Sequence, residues 1–278
     1  QEVEMPWFPE FASAAQLARE QEREAGLADP VGEYLAALRA GDTRILEQVW
    51  PGQVVIDDPR AGELRGHRQV RHFISSNVSW LADRGAQAET VAVTRAAGRA
   101  VVELMTRLDH NGRELSWPVA VVAESPDDRS VVFRTYCSQW PRDERRHVRP
   151  PVLRPDTPVQ PGDVVGRYLA ALAAGDADAV ARAFAADGYF SSPSGRRYDR
   201  EGGDELRKFF DRCFAGGGGI ELQPCAVTDD GARCAVEYNC LRWGIHDLPP
   251  QAGLGVYERG PDGLIIAARA YDDVHPED

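Results

Sequence analysis

The segment Tyr34-Leu-Ala-Ala-Leu-Arg-Ala-Gly-Asp42 returns as Tyr168-Leu-Ala-Ala-Leu-Ala-Ala-Gly-Asp176, eight of nine residues identical at an offset of 134. Self-similarity at one fixed offset means that one folding unit is used twice. The register holds further on: Pro59 meets Pro193, Glu103 meets Glu237 and Glu124 meets Glu258. After one extra residue, Arg134-x-Tyr136-(x4)-Pro141 meets Arg269-x-Tyr271-(x4)-Pro276. Between the copies, Arg149-Pro-Pro-Val-Leu-Arg-Pro-Asp-Thr-Pro-Val-Gln-Pro161 carries five prolines, which favour an extended, semi-rigid spacer. The organisation expected is an extension over 1–30, a first domain over 31–148, a linker over 149–161 and a second domain over 162–278.

Composition narrows the partners. Forty-four acids against 32 basic residues give a net charge of −12, a field that repels nucleic-acid phosphates. No run approaches the roughly 18 apolar residues of a membrane span. Five cysteines without a CxxC fit reduced thiols, and the acidic start lacks a secretion signal, so the expected location is cytoplasmic. Lys208 is the only lysine, a codon bias that points to a GC-rich bacterial genome.

Periodicity gives the elements. Val31, Tyr34, Leu35 and Leu38, and likewise Val165, Tyr168, Leu169 and Leu172, recur at i, i+3, i+4 and i+7, one face of a helix. Asp29-Pro30 opens the first such helix, and Gly41 and Gly175 close the pair. A short helix capped by Asp42 or Asp176 follows, running to Val49 or Ala185; then comes a strand over Gln53–Asp58 ended by Pro59. A third helix over 68–82 turns Val70, Phe73, Ile74 and Val78 inward, as Leu206, Phe209, Phe210 and Phe214 do in the second copy. From there the period becomes two, with a turn at Asn111-Gly112, so the rest reads as an antiparallel meander. Helices early and strands late give an α+β unit in which a bent sheet wraps about three helices. Residues 1–30 read as a partly amphipathic helix docking on one copy, or as a disordered arm.

This order, with Tyr-x-Ala-Ala-Leu-x-Ala-Gly-Asp in the first helix, resembles ketosteroid isomerase and the wider nuclear-transport-factor-two-like group that includes SnoaL-type polyketide cyclases. In the first copy the similarity extends over Val54-Val-Ile-Asp-Asp-Pro59, Phe73, Pro118 and Arg134. The resemblance implies two cone-shaped barrel domains paired through their sheets as an intramolecular pseudo-dimer, with Arg134, Tyr136, Arg269 and Tyr271 on the face opposite the pockets. It also implies that Tyr34 donates to a forming enolate oxygen while Asp58, 24 residues on, moves the proton. On the same alignment, the isomerase's second oxyanion donor falls at Ala120 and is missing. SnoaL-type cyclases carry a late basic aspartate, and Asp272 or Asp273 is the candidate for that role in the second copy, Asp272 being the one that alternation aims inward beside Tyr168.

The residues support an acid–base reading of their own. Val54, Ile56 and Asp58 share a strand face, which sends a carboxylate toward the concave side after two aliphatic groups. Pro59 holds Asp58 extended, and Tyr34 can offer an O–H donor from the opposite wall. The bland readings are packing for an inward tyrosine and turn initiation for an aspartate before proline. Asp57 should point outward. In the second copy Ser192 stands where Asp58 does and cannot serve as that base. Alternation instead aims Asp272, the counterpart of Cys137, into the cavity.

Candidate lining residues are Ile56, Phe73, Leu104, Pro118, Phe133 and Cys137 in the first pocket, and Phe190, Tyr238 and Leu254 in the second. An apolar polyketide- or terpenoid-like molecule would suit such walls, without cofactor or metal. Tandem duplication also resembles polyether-type epoxide hydrolase/cyclases, which need a glutamate acid near Glu89 or Glu221; a non-catalytic binding protein is a third reading. No zinc spacing, GxSxG or phosphate loop occurs, Gly216–Gly219 being a connector, and the Arg142–Arg149 stretch reads as a solvated link.

Overall fold

A computed structural model describes residues 8–96, 98–143, 148–156, 159–195 and 199–273. Pro276, where the repeated motif would end, lies outside them.

The first copy starts with α2 (Pro30–Ala40) and α3 (Arg44–Val49), and α1 (Phe8–Ala28) precedes it. Asp29 caps α2 by accepting from Gly32 N, Pro30 supplies a fixed first φ, and Gly41 ends it at φ 68°. The second copy repeats the design in α6 (Val164–Ala174), capped by Asp163 and ended by Gly175 at φ 69°. A side chain at either glycine would meet left-handed backbone strain, which is why Gly-Asp survives in both copies. The next helix, α7 (Ala177–Arg182), is shorter than its apolar pattern implies, because Phe184 already belongs to a strand.

Each copy builds a six-stranded mixed sheet. In the first, β1 (Gln53–Asp58), β2 (Gly62–Arg65), β3 (Gln87–Ala96), β4 (Arg99–His110), β5 (Arg113–Asp127) and β6 (Ser130–Cys137) lie in the order β2-β1-β6-β5-β4-β3, with α4 (Gly66–Asp83) across the concave face. After the short α5 (Trp140–Asp143), the second copy adds β7 (Phe184–Ser191), β8 (Arg200–Glu201), α8 (Gly203–Phe214), β9 (Gly219–Asp229), β10 (Arg233–Gly244), β11 (His246–Arg259) and β12 (Ile265–Ala270) in the equivalent order. The meander is antiparallel, and its β4/β5 turn uses Asn111 and Gly112 at φ 56° and 76°. A local pattern cannot report that β1 pairs parallel with β6 across most of the domain.

Strand alternation splits each sheet's side chains between two cores. Val54, Ile56, Leu104, Trp117, Val119, Val121 and Phe133 meet the helices of their own copy. Val101, Ala120, Val122 and Tyr136 meet Ala235, Ala252, Leu254, Val256 and Tyr271 of the other. Burial of each large side chain contributes roughly 1.5–3 kcal/mol.

Reciprocal charges cross that second core. Arg134 Nε lies 2.6 Å from Glu237 Oε1 and Tyr136 OH donates to the same oxygen at 2.7 Å. Arg269 Nε lies 2.7 Å from Glu103 Oε1, with Tyr271 OH donating at 2.8 Å. Desolvation alone would lower the arginine pKa values, but the facing carboxylates outweigh it and raise both. The repeated Arg-x-Tyr motif and the Glu103/Glu237 pair are therefore one device used twice, each half completed by the other copy.

Asp57 does leave the concave side, yet it is paired: Arg149 Nη2 lies 2.6 Å away. Arg149 also donates to Thr135 O and lies over the Tyr136 ring. The linker's Leu153 O accepts from Asn239 Nδ2, and Val152 joins the inter-sheet core, so this spacer lies along the second sheet. α1 docks on the first copy by its C-terminal half, where Arg23 donates to Val49 O and Asp128 O.

Candidate functional site

Each copy encloses a cavity between its helices and the concave face of its sheet. The first measures about 270 Å³, and Tyr34, Asp58, Phe73, Leu104, Trp117, Cys137 and Arg142 are among its lining residues. Asp58 ends β1 only 7% exposed. Its Oδ1 accepts from Arg60 N and Ala61 N, both at 2.9 Å, so the aspartate starts the turn after Pro59 and faces the cavity as well. No described residue donates to Oδ2.

Tyr34 enters from α2, stacked on Phe133 at 4.6 Å between ring centroids. Phe133 in turn meets the Trp50 edge at 5.8 Å. Burial, and then the nearby Asp58 charge, hold the Tyr34 hydroxyl pKa well above that of an ordinary phenol. Tyr34 thus stays a neutral donor across the physiological range.

Arg142 was not legible in the sequence, where it reads as part of a solvated link. In the structure, α5 turns it back into the first cavity. Its Nη2 donates to Asn77 Oδ1 at 2.7 Å, and its guanidinium lies 4.6 Å from the centroid of the Trp80 ring. Asn77 Nδ2 is itself tied to Phe73 O at 2.8 Å. A polar Asn on the apolar face of α4 was the one available signal.

The second cavity, about 160 Å³, is lined by Tyr168, Phe190, Ser192, Tyr238, Tyr257 and Asp272 among others. Asp272 Oδ1 accepts from Tyr238 OH at 2.7 Å. Burial first, and the Asp272 charge second, keep the Tyr238 hydroxyl protonated far above the usual phenol range. Tyr168 stands 5.3 Å from Tyr257 and is likewise raised by burial. Gly253 permits this arrangement, because a Cβ there would overlap Asp272 Oδ1 and the Tyr238 ring.

Several expected lining residues lie elsewhere. Leu254 pairs with Glu237, one register off Tyr238/Gly253, and is buried in the inter-sheet core. Pro118 sits between Trp117 and Val119, so alternation turns it to the opposite face. Ala120 is in the inter-sheet core too, and the neighbouring inward positions are the apolar Val119 and Val121. Ile56 and Phe133 pack behind the wall with no lining surface. Glu89 is exposed beside Arg107, and Glu221 pairs with Arg242 at 3.5 Å; neither lines a cavity. Among the described residues, no three His, Cys, Asp or Glu side chains are grouped so as to hold a metal ion.

The SnoaL-like domain model matches residues 31–133 and again 165–266, in each copy from the first helix of the repeat into the start of its last strand. The chain belongs to the SnoaL-like domain family. Solved structures of similar fold each match one copy's worth of it. A protein of ketosteroid isomerase-like fold from Catenulispora acidiphila, in complex with trimethylamine, is 17% identical over 42% of the chain and 88% of its own, with a TM-score of 0.35. A polyketide cyclase-like protein from Sinorhizobium meliloti is 18% identical over 38% and 92%, TM-score 0.31. The epoxide hydrolase/cyclase-like enzyme SalBIII, which has a role in pyran ring formation in salinomycin, is 23% identical over 39% and 86%, TM-score 0.34. No curated protein is a significant match to the chain.

Proposed function

We propose that this SnoaL-like protein is a cofactor-independent tailoring enzyme that moves a proton on an apolar, enolisable small molecule, through isomerisation or cyclisation, in its first cavity. The observation that carries the reading is one buried carboxylate and one buried neutral phenol, Asp58 and Tyr34, on the walls of a single apolar hollow.

Asp58 Oδ2 takes a proton from carbon α to a carbonyl while Oδ1 stays anchored to two backbone amides. Tyr34 donates to the carbonyl oxygen as it becomes an enolate. Return of the proton to another carbon completes an isomerisation; attack of the enolate carbon on a second carbonyl closes a ring, and the alkoxide formed takes the proton back from Asp58. A positioned base contributes about 10²–10⁴-fold and an aimed donor about 2.7–4 kcal/mol.

Epoxide opening of the polyether type would ask for a second carboxyl acid in the cavity, and Glu89 and Glu221 both stand outside it. The second cavity has Ser192 in the base position, and its carboxylate already holds Tyr238, which favours binding there over proton transfer.

Deuterium uptake at the α-carbons of 2-tetralone, followed by NMR, tests the reading without the natural substrate. The wild-type protein is expected to accelerate exchange, and Asp58→Asn to reduce that acceleration at least 100-fold. Exchange no faster than buffer would leave a binding protein, and acceleration unchanged in Asp58→Asn would reject Asp58 as the base.

A further inference from the structure

The first cavity holds a half-buried cation that the proton-transfer scheme does not use. Burial pulls the Arg142 pKa below the ordinary guanidinium value; Asp58 opposes that pull, while Arg60 and Arg84 add to it. Among the described residues no carboxylate lies within ion-pair distance of Arg142, and its Nε is buried without a hydrogen-bond partner. Asn77 and the Trp80 face fix the guanidinium without neutralising it. Arg84 lies over the same ring at 4.4 Å, and Arg39 also lines the cavity. In a chain of net charge −12, this is a local concentration of positive charge beside an apolar hollow.

A desolvated guanidinium is costly unless something anionic meets it. With Val119 and Val121 at the inward β5 positions, no carboxylic acid there can donate to an oxyanion beside Tyr34. An arginine fork is well suited to that task, having several donors and a permanent charge.

We infer that Arg142 is the anion-holding residue of the first cavity, and that its ligand is an apolar ring compound bearing an ionised oxygen, a carboxylate or an enolate. This rests on the reading of that cavity as a proton-transfer site. The ligand would lie with its oxygen on Arg142 and Tyr34 and its acidic carbon toward Asp58.

Two probes of one shape test the inference by calorimetry: 2-naphthoate and its neutral analogue naphthalene-2-carboxamide. Wild-type protein is expected to bind the carboxylate at least tenfold more tightly. Arg142→Gln should abolish that preference while leaving carboxamide affinity within threefold, and Arg142→Lys should restore part of it. Asn77→Asp, which sets a carboxylate against Arg142 without removing it, should lower the preference as well and covers the case of a poorly folded Arg142→Gln. A wild-type ratio near one, or a ratio unchanged by both Arg142→Gln and Asn77→Asp, would overturn the inference. The catalytic reading fails separately: full exchange activity in Asp58→Asn with the naphthoate preference intact would sink the base and leave the anion site standing.

Discussion

The two copies share a scaffold and differ at four linked places around the cavity. Asp58, Leu104, Val119 and Cys137 of the first stand where Ser192, Tyr238, Gly253 and Asp272 stand in the second. The carboxylate has moved from the end of β1 to just past β12, a residue next to it has gained a phenol, and a valine has shrunk to glycine to admit both. Transplanting Asp272 alone onto Cys137 would therefore press a carboxylate against Val119, its partner in the β5/β6 ladder. One fold thus supports two pocket chemistries, and the difference lies in a few side chains on the concave face, while the outer face is kept nearly symmetric.

That symmetry gives the largest expected effect. Glu237→Gln and Glu103→Gln each leave a buried arginine without its main anion, so each should destabilise the protein by about 3–5 kcal/mol in urea unfolding. Similar costs would support equivalent halves; a marked inequality would break the symmetry. Next, Tyr34→Phe should slow 2-tetralone exchange by about 10²-fold or more, as loss of an aimed donor does, whereas Tyr168→Phe should leave it within threefold. Equal losses would place the chemistry in both cavities.

Gly253→Ala should overpack the second cavity alone, costing about 1–3 kcal/mol in denaturant unfolding without altering exchange in the first. Alkaline titration gives the mildest contrast. Burial raises the pKa of Tyr34 in the first cavity and of Tyr168, Tyr238 and Tyr257 in the second. Folded, they keep protons that the unfolded chain releases near the ordinary value of 10.0, so stability is full below that pH and falls as pH rises above it. Hydrogen exchange read by mass spectrometry should show second-copy peptides opening first above that pH; first-copy peptides opening earlier would contradict the comparison.

The repeat, the helix caps and the strand β1 were readable because each depends on a local signal: a glycine in left-handed geometry, an aspartate before a proline, apolar residues at helical spacing. The face that Arg134 and Tyr136 occupy followed from the family resemblance, whose single-domain members pair through their sheets. What escaped depends on register. Leu254 and Pro118 are apolar residues in strands buried on both faces, so hydrophobicity could not say which core each joins. Arg142 escaped for a different reason: its charge reads as solvent-facing, and only a four-residue helix folding back onto Asn77 brings it inside.

The most direct test sets the two carboxylates against each other in a single assay, 2-tetralone exchange by Asp58→Asn and by Asp272→Asn. The account predicts a loss of about 10² or more in the first and a change within threefold in the second. Activity that survives in Asp58→Asn and disappears in Asp272→Asn would contradict it.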